Sequence, residues 1–232
     1  MSMIQDHILH IKSNITLICK ELGRSPEEIT LVAVTKFAPL DSIKAAIAAG
    51  IHDVGENKVQ EALKKYPPLD AEGLTVRKHL IGHLQTNKVK QAVRIFDLIQ
   101  SVDRLALLEE IQKQAGHLSK VMDILIQVKT SGEAQKYGVA PDEALALLEK
   151  AEEFQNIRTV GLMAIAPFTK DEGVIRKCFR DLRKIRDEAA ERFSGKPGVK
   201  MNILSMGMTE DYRIALEEGS NMIRIGRAIF AE

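Results

Sequence analysis

Lys36 closes an apolar, β-rich run, Ile29-Thr30-Leu31-Val32-Ala33-Val34-Thr35, just ahead of Phe37-Ala38-Pro39. At the end of a strand buried on both faces an ammonium loses hydration, which disfavours its charged form and lowers its pKa. A neutral amine is what a carbonyl-trapping nucleophile needs. A lysine that snorkels to solvent is the ordinary alternative. Late in the chain, Ser205-Met206-Gly207-Met208-Thr209 leads into a helical segment beginning near Glu210. Gly207 lets backbone approach a ligand, Ser205 and Thr209 offer hydroxyls, and a helix start offers unbonded N–H groups. Together these suit an anion, usually phosphate, although each residue alone also fits a helix N-cap or a tight turn. Arg224-Ile225-Gly226-Arg227 adds a second glycine and two guanidinium groups.

The elements that would bring these residues together are short apolar runs alternating with helical segments. Candidate strands cover 30–36, 51–54, 78–82, 97–101, 123–128, 158–163, 201–205 and 221–225. After an N-terminal amphipathic helix over 3–22, further helices fall near 41–49, 57–65, 85–94, 103–115, 141–155, 171–192 and 210–218. Gly50 and Gly219 stand just past helical runs, where a left-handed residue is favoured, and Pro141 can open its helix. Runs such as Asp123-Ile124-Leu125-Ile126-Gln127-Val128 lack a polar face, as parallel strands covered on both sides do. This alternation predicts a single (β/α)8 TIM barrel with an extra N-terminal helix, one domain over residues 1–232. A doubly wound open sheet would carry a glycine-rich turn after its first strand, and Thr35-Lys36-Phe37 has no glycine. In a barrel the strand C-termini form the working face, and the loops after strands seven and eight are its recurrent phosphate site. An amine opposite such a cradle narrows the ligand to a phosphorylated carbonyl compound. Pyridoxal phosphate fits, as does the sugar phosphate of a Schiff-base aldolase.

Bulk properties exclude other classes. A net charge of +1 gives no electrostatic footprint for nucleic acid or an anionic membrane. Arg176, Lys177, Arg180, Arg183, Lys184 and Arg186 alternate with Asp181, Asp187 and Glu188, as on a solvated helix face. Neither a signal peptide nor a bilayer-crossing stretch is evident. Cys19 and Cys178 are isolated thiols without metal-ligand spacing, which suits a reducing cytoplasm.

Several motifs stand in order along essentially the whole chain: Ala33-Val34-Thr35-Lys36, Val54-Gly55-Glu56-Asn57 with Val59-Gln60-Glu61, His79-Leu80-Ile81-Gly82-His83-Leu84-Gln85-Thr86-Asn87-Lys88, Gly161-Leu162-Met163, Ser205-Met206-Gly207-Met208 and Arg224-Ile225-Gly226. In these the sequence resembles the pyridoxal phosphate homeostasis proteins, relatives of the N-terminal barrel of alanine racemase. The resemblance implies a barrel that holds pyridoxal 5'-phosphate on Lys36 as an internal aldimine. It places Arg224 against the pyridine nitrogen and Asn57 beside the ring. Ser205, Gly207, Met208, Thr209, Gly226 and Arg227 would surround the phosphate. It further implies intracellular cofactor homeostasis, by buffering or by delivery to apo enzymes, without substrate turnover.

Beside that pattern, His83 at the third strand end is either an acid or base or a hydrogen-bonded structural residue, and His79 is structural. Glu56 would cap the following helix. Met163, Met206 and Met208 would pack near the cofactor. Gly132-Glu133-Ala134-Gln135-Lys136-Tyr137 reads as a mobile loop without chemistry. The chain departs from the family at Arg227, Lys58 and Lys129, where Thr, Tyr and Asn are usual. An arginine at 227 can bind phosphate as a bidentate donor or point away and leave only its N–H. The competing readings are a racemase-like enzyme and a Schiff-base aldolase. The first lacks an evident base, since none of Tyr66, Tyr137 and Tyr212 stands at a strand end, and the chain stops where alanine racemase continues into a second domain. The second lacks a carboxylate relay. A monomer is expected for the same want of a second domain.

Overall fold

The computed structural model describes residues 3–131 and 137–231. Eight parallel strands close into a barrel in chain order: β1 (Thr30–Val34), β2 (Asp53–Glu56), β3 (Arg77–Leu80), β4 (Leu98–Val102), β5 (Met122–Gln127), β6 (Ile157–Met163), β7 (Val199–Ser205) and β8 (Met222–Ile225). The helices are α1 (Met3–Glu21), α2 (Leu40–Ala48), α3 (Val59–Ala71), α4 (Val89–Ile95), α5 (Leu105–Gly116), α6 (Ala144–Glu152), α7 (Glu172–Arg192), α8 (Tyr212–Glu217) and α9 (Arg227–Phe230). This is the expected (β/α)8 TIM barrel with an N-terminal helix. The barrel closes at β1, where Val32 pairs with Asp53 of β2 on one side and with Arg224 of β8 on the other.

Apolar residues divide into an inner and an outer set. Val32, Leu98, Leu125, Val160, Met163 and Met222 fill the lumen, while a larger cluster lies between the strands and the helices. The helix following β8, α9, is only one turn long, and α1 covers that sector instead. Its buried stripe of Ile8, Ile11, Ile15 and Ile18 faces α2, α8 and α9. No helix among the described residues is long and apolar enough to cross a membrane.

Gly50 and Gly219 adopt the expected left-handed conformation, with φ of 81° and 96°. Most boundaries shift by a few residues from expectation, and two shifts bear on the site. Strand β1 stops at Val34: Thr35 N–H still completes the ladder at Gly55 O (2.9 Å), but Ala38 N–H turns back onto Thr35 O at 3.0 Å and starts a turn. Helix α3 runs on through Pro67 and Pro68, held by the buried Tyr66 and Leu69 against the loss of two N–H donors.

Candidate functional site

Because β1 ends early, Lys36 lies in the turn and is exposed. The expectation of a desolvated strand-end amine is therefore corrected. Its Nζ stands 5.2 Å from the Phe37 ring and has no hydrogen bond or ion pair among the described residues. The peptide before it is firmly held. Lys65 Nζ donates to Thr35 O at 2.7 Å and to Glu56 Oε1 at 2.6 Å. Thr35 Oγ1 donates to the same carboxylate oxygen at 3.0 Å, and Asn57 N–H reaches Glu56 Oε2 at 3.2 Å. Glu56 is thus the buried centre that ties the ends of β1 and β2 to α3. It is not a cap for that helix, whose N-terminus carries no side-chain cap.

Across the β1–β8 seam, the buried Arg224 donates from Nη1 to Ser205 Oγ at 2.6 Å and from Nη2 to Ala164 O at 2.9 Å. Burial brings its pKa down to about 10, opposed by the nearby Asp211, so it stays a cation at neutral pH. Ser205 is fully buried and donates its own proton to Gln100 Oε1 at 2.7 Å. The expectation that Ser205 offers its hydroxyl to phosphate is corrected, because both sides of that oxygen are occupied. Gly207 is also needed for another reason than close ligand approach. At φ 98° its missing Cβ would stand 2.6 Å from Ala215 Cβ, so glycine lets the loop lie against α8. Met208 N–H bonds Asp211 Oδ1 at 2.5 Å and is not open to a ligand.

Thr209 is half-buried, and its hydroxyl makes no hydrogen bond among the described residues. Gly226 approaches Val34 closely, its absent Cβ lying 3.3 Å from Val34 O. Arg227 turns its guanidinium toward Glu210 at 3.2 Å in a largely exposed pair.

Asn57, half-buried, follows β2, with its carbonyl pressed against Gly82 in the turn after β3. Met163 is fully buried in the lumen, and Met206 is fully buried in the outer cluster. Neither offers the ligand-facing surface expected of it, whereas Met208 is exposed. Lys58 is exposed before α3, and Lys129 is half-buried after β5. Residues Gly132 to Lys136 of the loop expected after β5 lie outside the described residues. Tyr137, expected to lie in a loop without chemistry, stacks on His83 at a centroid distance of 3.9 Å and 16°. His83 Nδ1 is buried without a hydrogen bond, its approach to Asp103 Oδ2 being 3.8 Å.

Burial pushes both His79 and His83 below the ordinary imidazole value of 6.5, against the opposing carboxylates Asp53 and Asp103. The unfolded chain therefore binds more protons than the folded one just below 6.5, so stability falls as pH drops through that value. Urea unfolding at a series of pH values should show a falling midpoint from about pH 7 to about pH 5. His83→Gln should flatten that slope in part. An unchanged slope would remove His83 from the account.

Missed by the sequence reading were Asp53 and Gln100, which join the buried polar chain behind Arg224. A signal existed: Gln100 interrupts an apolar strand, and a buried amide is retained only when its hydrogen bonds are made. Following β1, on β8 and following β7, respectively, stand an exposed amine, a locked guanidinium and a hydroxyl unpaired among the described residues. They can hold a carbonyl compound that also carries an acceptor and an anion.

Comparison with known proteins gives a consistent set of likenesses. The alanine racemase N-terminal domain family matches residues 7–232. The pyridoxal phosphate homeostasis protein of Aquifex aeolicus is 38% identical over 227 residues, 98% of this chain and 97% of that one. Synechococcus elongatus PipY, solved with PLP bound, superposes with a TM-score of 0.81 at 35% identity, over 94% of this chain and 100% of that chain. Alanine racemase from Clostridium difficile shares the fold alone, with a TM-score of 0.74 at 15% identity over 97% of this chain and 56% of its own.

Proposed function

Since this chain belongs to the pyridoxal phosphate homeostasis proteins, within the alanine racemase N-terminal domain family, we propose that it binds pyridoxal 5'-phosphate at Lys36 and holds it for release rather than for turnover. The observation that carries this reading is the seam between β1 and β8. It pairs the strand that leads into Lys36, whose amine has no hydrogen bond or ion pair among the described residues, with the strand whose buried Arg224 is held by two hydrogen bonds.

When bound, the cofactor supplies an aldehyde that condenses reversibly with an amine, a ring nitrogen and a phosphate. The donor set fits that group. Lys36 offers the amine, on a peptide fixed through Thr35 by Lys65 and Glu56. Arg224 brings a cation to the ring nitrogen, which disfavours a proton there and leaves the ring a weak electron sink. The Thr209 hydroxyl and the first N–H groups of α9, which have no partner within the helix, face the phosphate role. The Arg227 guanidinium is free to join them, since its exposed pair with Glu210 costs little to break. Asn57, with His83 and its stacked Tyr137, forms the side wall. An exposed Lys36 leaves the site open to water, which weakens electrostatic catalysis and allows hydrolytic release. Delivery to apo enzymes belongs to the same reading.

The test compares pyridoxal phosphate with pyridoxal by visible absorption, then incubates the loaded protein with D- and L-alanine. Loss of two charge-assisted hydrogen bonds should weaken pyridoxal binding by about 100-fold. The alanine enantiomers should not interconvert. Racemisation at a steady rate would replace holding by turnover, and equal binding of the two compounds would remove the phosphate site.

A further inference from the structure

We propose that Asp53, His79, Gln100 and Ser205 are positioning residues for Arg224, forming a hydrogen-bond relay whose two ends fix its direction and so lock the guanidinium in place. This deepens the proposed function and rests on its placing of Arg224.

The relay crosses the lumen. Arg224 Nη1 donates to Ser205 Oγ at 2.6 Å, and Ser205 Oγ donates to Gln100 Oε1 at 2.7 Å. Gln100 Nε2 donates to His79 Nδ1 at 2.8 Å, and His79 Nε2 donates to Asp53 Oδ1 at 2.9 Å. The remaining Gln100 N–H lies against Met222 Sδ at 3.3 Å. Strands β4 and β7 are not neighbours in the barrel, so the Gln100–Ser205 bond passes through its interior. His79, Gln100 and Ser205 have no exposed surface at all.

Direction follows from the chemistry of the ends. A guanidinium only donates and an ionised carboxylate only accepts. With Asp53 accepting, His79 carries its proton on Nε2 and presents a bare Nδ1. Gln100 must then turn its amide N–H to His79 and its Oε1 to Ser205. The serine proton goes to Oε1, and the lone pair left on Oγ receives Arg224. If any link reversed, the Ser205 hydroxyl would face donors on both sides and its proton would have no acceptor in the relay. A buried polar group left so costs more than a satisfied one contributes. The acceptor at the start of β2 thereby decides how a guanidinium on β8 is held. Charged groups around His79 are Asp53, Arg77 and Asp97, and its burial keeps it neutral. Asp211 is the charged neighbour of Arg224.

The test begins without cofactor. Nitrogen-15 NMR of the unsubstituted protein should show His79 protonated at Nε2 only, from about pH 6 to pH 8. The Arg224 Nη protons should give separate, slowly exchanging signals. Asp53→Asn, at a partly exposed strand start, lets the terminal amide donate or accept. It should yield mixed His79 tautomers and Arg224 protons that exchange about tenfold faster, the equivalent of one hydrogen bond. Gln100→Leu should do the same more strongly, and if it fails to fold, Asp53→Asn still decides. With pyridoxal phosphate bound, Asp53→Asn should shift the visible band and speed cofactor release about tenfold. An imidazolium or an Nδ1-protonated His79 in the unsubstituted protein overturns the relay. So do wild-type Arg224 exchange, an unshifted band and unchanged release in the variants. If the unsubstituted protein takes up no pyridoxal phosphate, the proposed function fails and this role with it. If it takes the cofactor up and the variants match it, the relay alone fails.

Discussion

Lys36→Ala abolishes the borohydride-fixed attachment of pyridoxal phosphate and leaves the fold unchanged. In the unsubstituted protein, reduction of the loaded site and peptide mapping should place the label on the peptide that contains Lys36. In the variant that peptide should carry none. Stability should stay within about 0.5 kcal/mol, because Lys36 is exposed and has no hydrogen bond or ion pair among the described residues to lose. The two outcomes separate chemistry from folding more cleanly than any buried substitution in the barrel. Label spread equally over Lys58 and Lys129 in the unsubstituted protein would remove Lys36 from its assigned role.

Lys65→Met should be the most destabilising single change near the site. Its amine is the charged partner of Glu56, whose side chain is 1% exposed, while that of Lys65 is 14% exposed. Without it the carboxylate keeps only the neutral donors Thr35 Oγ1 and Asn57 N–H. Removing one member of a buried pair costs several kcal/mol, and partial access of water to Lys65 puts the loss near the lower end, about 3 kcal/mol. For a chain of this size the melting temperature should fall by roughly 6–12 °C. The double change Glu56→Leu with Lys65→Met should recover much of that loss, since an apolar pair removes the stranded charge. Equal losses in the single and double variants would show that packing, not the ion pair, is responsible. Cofactor capture should weaken alongside stability, because Lys65 also holds the Thr35 carbonyl directly before Lys36.

The barrel was legible because parallel strands covered on both faces leave apolar runs with no polar side, and each of the eight observed strands overlaps an expected run. Strand ends were less so. Nothing local distinguishes Val34 from Thr35, and β1 stops where Ala38 N–H turns back onto the Thr35 carbonyl. The polar residues at the strand ends could be found by type and place, but not by what they touch. Ser205 and Thr209 read alike as hydroxyls beside a glycine. Only barrel closure, which sets Ser205 between Arg224 and Gln100, separates a residue inside the lumen from one at its mouth. The stack of Tyr137 on His83 depends on two loops meeting over the barrel, and no spacing within either loop encodes it.

The reliance of the β8–β1 sector on α1 also sets an order of events during synthesis. The stripe of Ile8, Ile11, Ile15 and Ile18 is made before all of its partners, α2 soon after it but α8 and α9 much later, with His7 finally bonding Ile229 O at 3.2 Å. At ~5–20 residues per second, the roughly 200 residues between them take about 10–40 s to emerge. Through most of that interval the nascent chain carries an apolar helix face that α2 alone can cover. Contacts of such long sequence separation also make refolding slow, because the loop must close before burial rewards it. A barrel sealed by its first helix closes only once its last strand and the helices on either side of it are available.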